Sequence, residues 1–242
     1  MRSIFSLYKL KMTNVIKSTV LVMPTVAVVA FLGVMYSVIP VQITGSFLIS
    51  GFFLFVISVY ISMSIQLKEK DVHEEIFIMH SRRNADYYIS RELVLYSIML
   101  FYAAVVIAYP LICSKFKEGF FSRTLKPVDV LYGTLIVIGN GICGIALGDL
   151  FHQRIITRKK NSILFVVLTA VLAICKVSII EKWASAKVLN IILPPLMDGF
   201  DMVRETDIFD PKGTMLILAH SALYVAVLVA VKIYLLRRFR FK

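Results

Sequence analysis

The sequence predicts an all-α polytopic membrane protein: six transmembrane helices, an amphipathic interfacial helix ahead of them and a short charged helix on the cytoplasmic side. Three observations carry this. Apolar residues make up 59% of the 242 positions and charged residues 17%, against about 45–50% and about 25% in an ordinary soluble domain. No Asp, Glu, Lys or Arg falls between Lys17 and Lys68, Glu92 and Lys115, Asp129 and Asp149, Lys160 and Lys176, or Lys212 and Lys232, and several of these gaps reach the roughly 17–25 residues a helix needs to cross a bilayer core. Finally, the basic residues behind the net charge of +12 gather at the ends of apolar runs. That is where anchors and orientation signals sit, not where a nucleic-acid surface would place them.

Along residues 2–17, Arg2, Ser6, Lys9, Thr13 and Lys17 recur at steps of four and three, while Phe5, Tyr8, Met12 and Val15 fill the opposite stripe. This pattern is an amphipathic helix lying in the interface; the plainer alternative is a basic leader that orients the first span. The charge-free stretch from Ser18 to Leu67 is too long for one crossing, and Pro40, Gln42, Thr44 and Gly45 mark a turn within it. It reads as two spans, near 19–40 and 45–66. Further spans follow near 88–113, 128–150, 162–180 and 214–236, making 1–242 a single transmembrane domain. A cleaved signal peptide is not expected, because the first apolar run is long and no small-x-small site follows it.

Six crossings put both termini on one side, and basic residues say which. With the termini inside, the cytoplasmic segments hold 18 Lys and Arg and the outer loops nine. Cationic loops resist translocation, so the termini are cytoplasmic. The cysteines, Cys113, Cys143 and Cys175, have neither CxxC spacing nor an even count and read as small buried hydrophobes.

The loop between spans two and three reads KEKDVHEEIFIMHSRRNADYYISRE. Within it Val72, Ile76 and Met79 share one helical face, flanked by Glu69, Glu74, Glu75, Arg82 and Arg83. A greasy stripe with a mixed-charge rim suits docking into a groove on another protein; a solvated connector is the alternative. Between spans five and six, Val188 to Met197 is apolar but too short to cross, and Pro194-Pro195 forbids a continuous helix. This segment is expected to lie at or dip into the outer leaflet, with Asp198, Asp201, Glu205, Asp207 and Asp210 returning the chain to water.

Taken together, the amphipathic N-terminal helix, the tight hairpin of spans, the charged helical loop and the Pro-interrupted segment before the last span resemble the ABC-2 type permease family of ABC exporters. The resemblance implies that residues 2–17 are the family's connecting helix. It makes residues 68–81 the coupling helix, with Val72, Glu75, Ile76, Met79 and Arg82 coupling to a separate ATPase, and residues 187–205 a re-entrant or interfacial element. It further implies a cell-membrane export permease that pairs with a second permease subunit, sits in membrane lipid, and relies on ATP and Mg held by the partner ATPase. Its expected cargo is amphipathic: a hydrophobic peptide, an antimicrobial or a lipid-like molecule.

The absences fit a chain without its own motor. There is no G-x-x-x-x-G-K-[ST] to cradle nucleotide, and no G-x-S-x-G elbow, H-E-x-x-H or zinc-spaced Cys/His set. No catalytic residue, metal ligand, resident cofactor or nucleic-acid partner is therefore expected. Glu74-Glu75 resembles the pair of the EExxxR intramembrane proteases, but Met79 stands at the arginine position and the pair lies in a loop. An ATPase-independent carrier, channel or scaffold is the competing class. A carrier would show ionisable groups near the midplane and matching interrupted helices in two halves, and no internal repeat is visible.

Polar positions inside spans supply the remaining candidates. Ser46, Ser50, Ser58 and Ser62 form a hydroxyl stripe on span two, of which Ser50, Ser58 and Ser62 are candidates to line a translocation path; serines also satisfy themselves on their own backbone. His220 is a further path candidate facing a wet cavity, and Lys176 is expected to snorkel toward the outer end. Asp149 is expected to pair locally with Arg154. Gly141, Gly144 and Gly148 share a face of span four, and Gly144-x-x-x-Gly148 matches the small-residue packing motif, either within the chain or between two subunits.

Overall fold

In the computed structural model, which describes residues 2–68, 84–150, 159–183, 193–196, 198–200 and 207–238, the regular structure is helical. Among the described residues seven α-helices follow in order: α1 (Arg2–Lys17), α2 (Val22–Met35), α3 (Ile43–Lys68), α4 (Asn84–Phe116), α5 (Pro127–Leu150), α6 (Lys159–Lys182) and α7 (Pro211–Arg238). Four of them contain stretches long and apolar enough to cross a membrane: Ile43–Gln66, Asp86–Phe116, Pro127–Leu150 and Pro211–Leu235. The chain is a multi-pass α-helical membrane protein.

Local chemistry sets the boundaries. Ser18 ends α1: its hydroxyl donates to the Val15 carbonyl at 2.7 Å and accepts from the Val20 N–H at 3.3 Å. A 3-10 turn, Thr19–Leu21, follows, and the axis bends by 63° between Ile4–Lys17 and Thr19–Met35. The bend falls between the amphipathic stretch 2–17 and the apolar run 19–40, and the regular α-helix within that run, Val22–Met35, is 14 residues, about 21 Å long. Pro24 is tolerated in the first turn of α2, where the missing donor has no intrahelical partner. In α5 the Lys126 N–H donates to Asp129 Oδ2 at 3.1 Å, the acid-to-cap half of a capping box, with Pro127 at the first helical position. In α7, Asp210 caps the N–H of Gly213 at 2.9 Å ahead of Pro211.

Polar residues mark two levels. At the hairpin end, the Val41 N–H donates to Phe120 O and the Ser122 N–H to Val41 O, at 3.0 and 2.9 Å, joining the α2–α3 turn to the loop after α4. Tyr36 and Ser46 share a hydrogen bond of 2.7 Å across that turn. At the opposite end Gln66, Arg91, Asp149 and Lys232 meet. From Thr44 to Gln66, Asp129 to Asp149 and Asp210 to Lys232 the chain advances 20–22 residues, or about 30–33 Å at about 1.5 Å per residue. That matches a hydrocarbon core of about 30 Å.

The α3–α5 seam is the closest helix contact. A Cβ added at Gly144 would lie 2.5 Å from the Phe55 carbonyl oxygen, and one at Gly148 would lie 2.8 Å from Ser62 Cβ. The small-residue face of span four therefore packs within the chain. Helix α1 docks on the first half of α4, where Tyr8 Oη donates to Ser97 Oγ at 3.1 Å and Lys11 Nζ sits 3.5 Å from the Tyr87 ring centroid. Helix α6 has a shorter apolar stretch, Ile163–Lys176, and much of its surface is exposed Ile, Leu, Val and Phe, as a lipid-facing helix requires.

Candidate functional site

Lys176 from α6, His220 from α7 and Asp198 from the segment before α7 bring three ionisable groups together. His220 stands ten residues into the chain from Asp210, about 15 Å along α7. Lys176, from α6, is fully buried, and its Nζ lies 2.6 Å from Asp198 Oδ1. His220 Nδ1 is 3.8 Å from Asp198 Oδ2, while His220 Nε2 is buried and has no hydrogen-bond partner among the described residues. Asp198 is carried by non-helical chain. Leu193, Pro194, Pro195 and Leu196 are all buried, with Leu193 and Leu196 in one apolar cluster with Phe55, Val59, Cys143, Leu147 and Tyr224. Gly199 packs close against α3 there: an added Cβ would lie 2.6 Å from Leu48 Cδ2.

This changes two expectations. Lys176 does not snorkel: it is fully buried and Asp198 neutralises it, and an unpaired charge at a helix centre costs at least about 2.5–3.5 kcal/mol. Asp198 does not belong to a solvated outer loop for the same reason. The rest of the acidic cluster divides. Asp207 accepts from Thr44 Oγ1 at 2.5 Å, from the Thr44 N–H at 2.9 Å and from Ser122 Oγ at 2.7 Å, so it caps α3 from a distance of more than 160 residues in sequence. Burial pushes its carboxyl up, but these hydrogen bonds together outweigh burial and hold it below the usual range. Asp210 caps α7, and Asp201 and Glu205 lie outside the described residues.

A second charged group closes the opposite end. Asp149 accepts from Gln66 Nε2 at 2.6 Å and pairs with both Arg91 and Lys232, while Lys232 Nζ also lies 2.5 Å from Glu92 Oε1. Two cations and two anions thus join α4, α5 and α7, and Gln66 adds α3. Among the described residues Asp149 takes partners 58 and 83 residues distant; Arg154, its expected local partner, lies outside the described residues.

The ATPase-coupling residues inferred from sequence, Val72, Glu75, Ile76, Met79 and Arg82, also lie outside the described residues. Ser50 is buried close to Tyr36, and Ser58 and Ser62 are buried in the α3–α5 seam, facing Gly144 and Gly148. Their hydroxyls, like Asn140 Nδ2 beside Gly51, have no hydrogen-bond partner among the described residues. Gly141 packs on Met99 and Leu54. Sequence reading missed Asp198 and Arg91 as site residues. The available signal was that Lys176, Asp149 and Lys232 interrupt otherwise charge-free stretches, which marks them as spending charge inside apolar surroundings. Among the described residues no three His, Cys, Asp or Glu are grouped to hold a metal ion. Compared with protein-family models, curated proteins and solved structures, the chain matches none of them.

Proposed function

We propose that this chain is the membrane-spanning permease subunit of an ATP-driven exporter of the ABC-2 type. In this reading α2 to α7 are the six spans, the termini are cytoplasmic, and a second permease subunit completes the pathway. A separate ATPase, which binds ATP and Mg, docks on residues 68–81. One observation carries the reading. The amphipathic α1 is set 63° from the apolar stretch after it and rests on Tyr87 and Ser97 of α4, just beyond the charged loop. A push on that loop would reach α1 and the base of α4 together, and α4 and α7 share the Asp149 ion group. Closure of the ATPase pair would tilt these helices and exchange an inward or lateral opening for an outward one. The buried, partnerless hydroxyls of Ser58 and Ser62 fit a seam that hydrates when it opens.

The test is copurification. Ile76→Asp with Met79→Asp should release the partner ATPase and abolish cargo-stimulated hydrolysis while the spans stay folded. Undiminished copurification would refute the coupling assignment.

A second reading, an ion-coupled carrier without an ATPase, is favoured by the Lys176–Asp198–His220 group among apolar helices. Uptake by proteoliposomes of this chain alone, driven by an imposed ion gradient, would favour the carrier over the exporter.

A further inference from the structure

We propose that Lys176 and His220 form a recognition site for the carboxylate head of an apolar-tailed cargo, and that Asp198 occupies this site as the chain's own stand-in in the conformation described here. This names the cargo chemistry of the transport reading above and rests on it only for the cargo being carried.

The geometry supports it in three ways. First, a carboxylate is already there: Asp198 Oδ1 lies 2.6 Å from Lys176 Nζ and Oδ2 lies 3.8 Å from His220 Nδ1, so one anionic group faces donors from two different helices. Second, the site has unused capacity, because His220 Nε2 is buried without a partner although an imidazole offers two nitrogens. Third, the anion is held by non-helical chain rather than by a span. Leu193 and Leu196 accompany it into the apolar cluster containing Phe55, Val59 and Tyr224, so a carboxylate and an apolar stretch enter the bundle together. An amphipathic carboxylate has the same two parts in the same order.

Exchange also satisfies the electrostatics. Asp198 is the only partner of Lys176 Nζ among the described residues. When the Pro194-Pro195 segment withdraws, a buried ammonium is left bare unless another anion replaces the carboxylate. A tethered competitor acts at a high effective concentration, on the order of millimolar for a short flexible connection, so the resting site is closed to weak ligands. A dodecylamine-type cation would meet Lys176 with like charge and be rejected.

The test uses the full chain in phosphatidylcholine nanodiscs and radiolabelled dodecanoate, with dodecanol and dodecylamine as head-group controls. Asp198→Asn removes the competitor and keeps the shape. It should tighten dodecanoate binding at least tenfold over the unaltered protein, with dodecanol and dodecylamine unchanged. Adding Lys176→Met to Asp198→Asn should return dodecanoate to the dodecanol level, and this double variant buries no unpaired charge, so it also controls for folding. A second arm compares a hydrophobic peptide with a free C-terminal carboxylate and its amide, and separates a peptide source from a fatty-acid-like one. Tightening of a carboxylate over its uncharged counterpart in either arm supports the site. Equal binding of carboxylate and uncharged forms by Asp198→Asn, or tightening that survives Lys176→Met, overturns it. If the tightening appears but no ATPase copurifies with the chain, the recognition site stands and the ATP-driven reading falls.

Discussion

Replacing Gly144 by alanine tests the α3–α5 seam on which the positions of the other helices depend. An added Cβ would stand 2.5 Å from the Phe55 carbonyl oxygen, 2.9 Å from Ser58 Cβ and 3.2 Å from the Phe55 carbonyl carbon. Two of these three atoms belong to backbone, which no rotamer change can move. Relief to ordinary contact at about 3.4 Å requires the helices to part by about 0.9 Å, and a radial gap of about 0.5–1 Å forfeits a quarter to a half of the dispersion energy of the atoms facing it. Overpacking of this kind costs about 1–3 kcal/mol, and loss along the seam places Gly144→Ala at about 3 kcal/mol. Gly139 is the internal control, since its nearest neighbour is Leu218 Cδ2 at 3.4 Å. Gly139→Ala should be neutral or, through better helix propensity, stabilising by up to about 1 kcal/mol. Thermal unfolding in nanodiscs, followed by helix signal, should show a midpoint about 6–12 °C lower for Gly144→Ala, scaling at about 2–4 °C per kcal/mol for a chain of this size. Equal midpoints for the two variants would refute close packing at this face.

The remaining expectations concern the charged groups. Asp149→Asn leaves Arg91 and Lys232 facing one anion, Glu92, and should destabilise by about 3–5 kcal/mol, whereas Asp149→Asn with Lys232→Met restores balance and should recover part of that loss; a double-mutant cycle on unfolding midpoints checks the coupling. Asp207, with its carboxyl held low, contributes stability that is full above the unfolded value of about 3.9 and is lost as pH falls through its lower folded value. Asp207→Asn should therefore lower the midpoint by about 1–3 kcal/mol equivalent at neutral pH and flatten its acid dependence below about pH 4, read from midpoints across a pH series. Tyr8→Phe removes the hydrogen bond to Ser97. It should cost about 1 kcal/mol and increase proteolysis within α1, while a Phe substitution at Tyr234, which is exposed on α7, should change neither.

Much of the helical layout was legible because charge and proline punctuate it. Helix α5 begins at Pro127 with Asp129 capping it from its first turn, α7 begins at Pro211 behind Asp210, and their apolar runs end at Asp149 and near Lys232, within a few residues of the expected spans. The glycine face of α5 was legible because a missing Cβ has one dominant use in apolar surroundings. The boundary at Ser18, between the amphipathic stripe of 2–17 and the apolar run from 19, was legible too; the 63° bend across it was not, since a serine between two helical patterns satisfies itself on a continuing helix as readily as it caps one. Partner choice was the larger gap. Asp149, Asp198 and Asp207 each had an ordinary local explanation, and the sequence carries no signal that their partners lie 22 to 164 residues away. Only the folded bundle brings α6, α7 and the Pro194-Pro195 segment to one carboxylate. The serine stripe shows the converse: its spacing was plain, but which surface it met depended on α5.

The most direct measurement concerns the contact through which force would enter. A photocrosslinking amino acid placed at Ile76, in membranes that contain the chain and its full complement of partners, should capture an ATP-hydrolysing subunit, and hydrophilic reagents added outside intact cells should fail to reach that position. An adduct with no nucleotide-hydrolysing protein, or modification from the exterior, would contradict the permease reading.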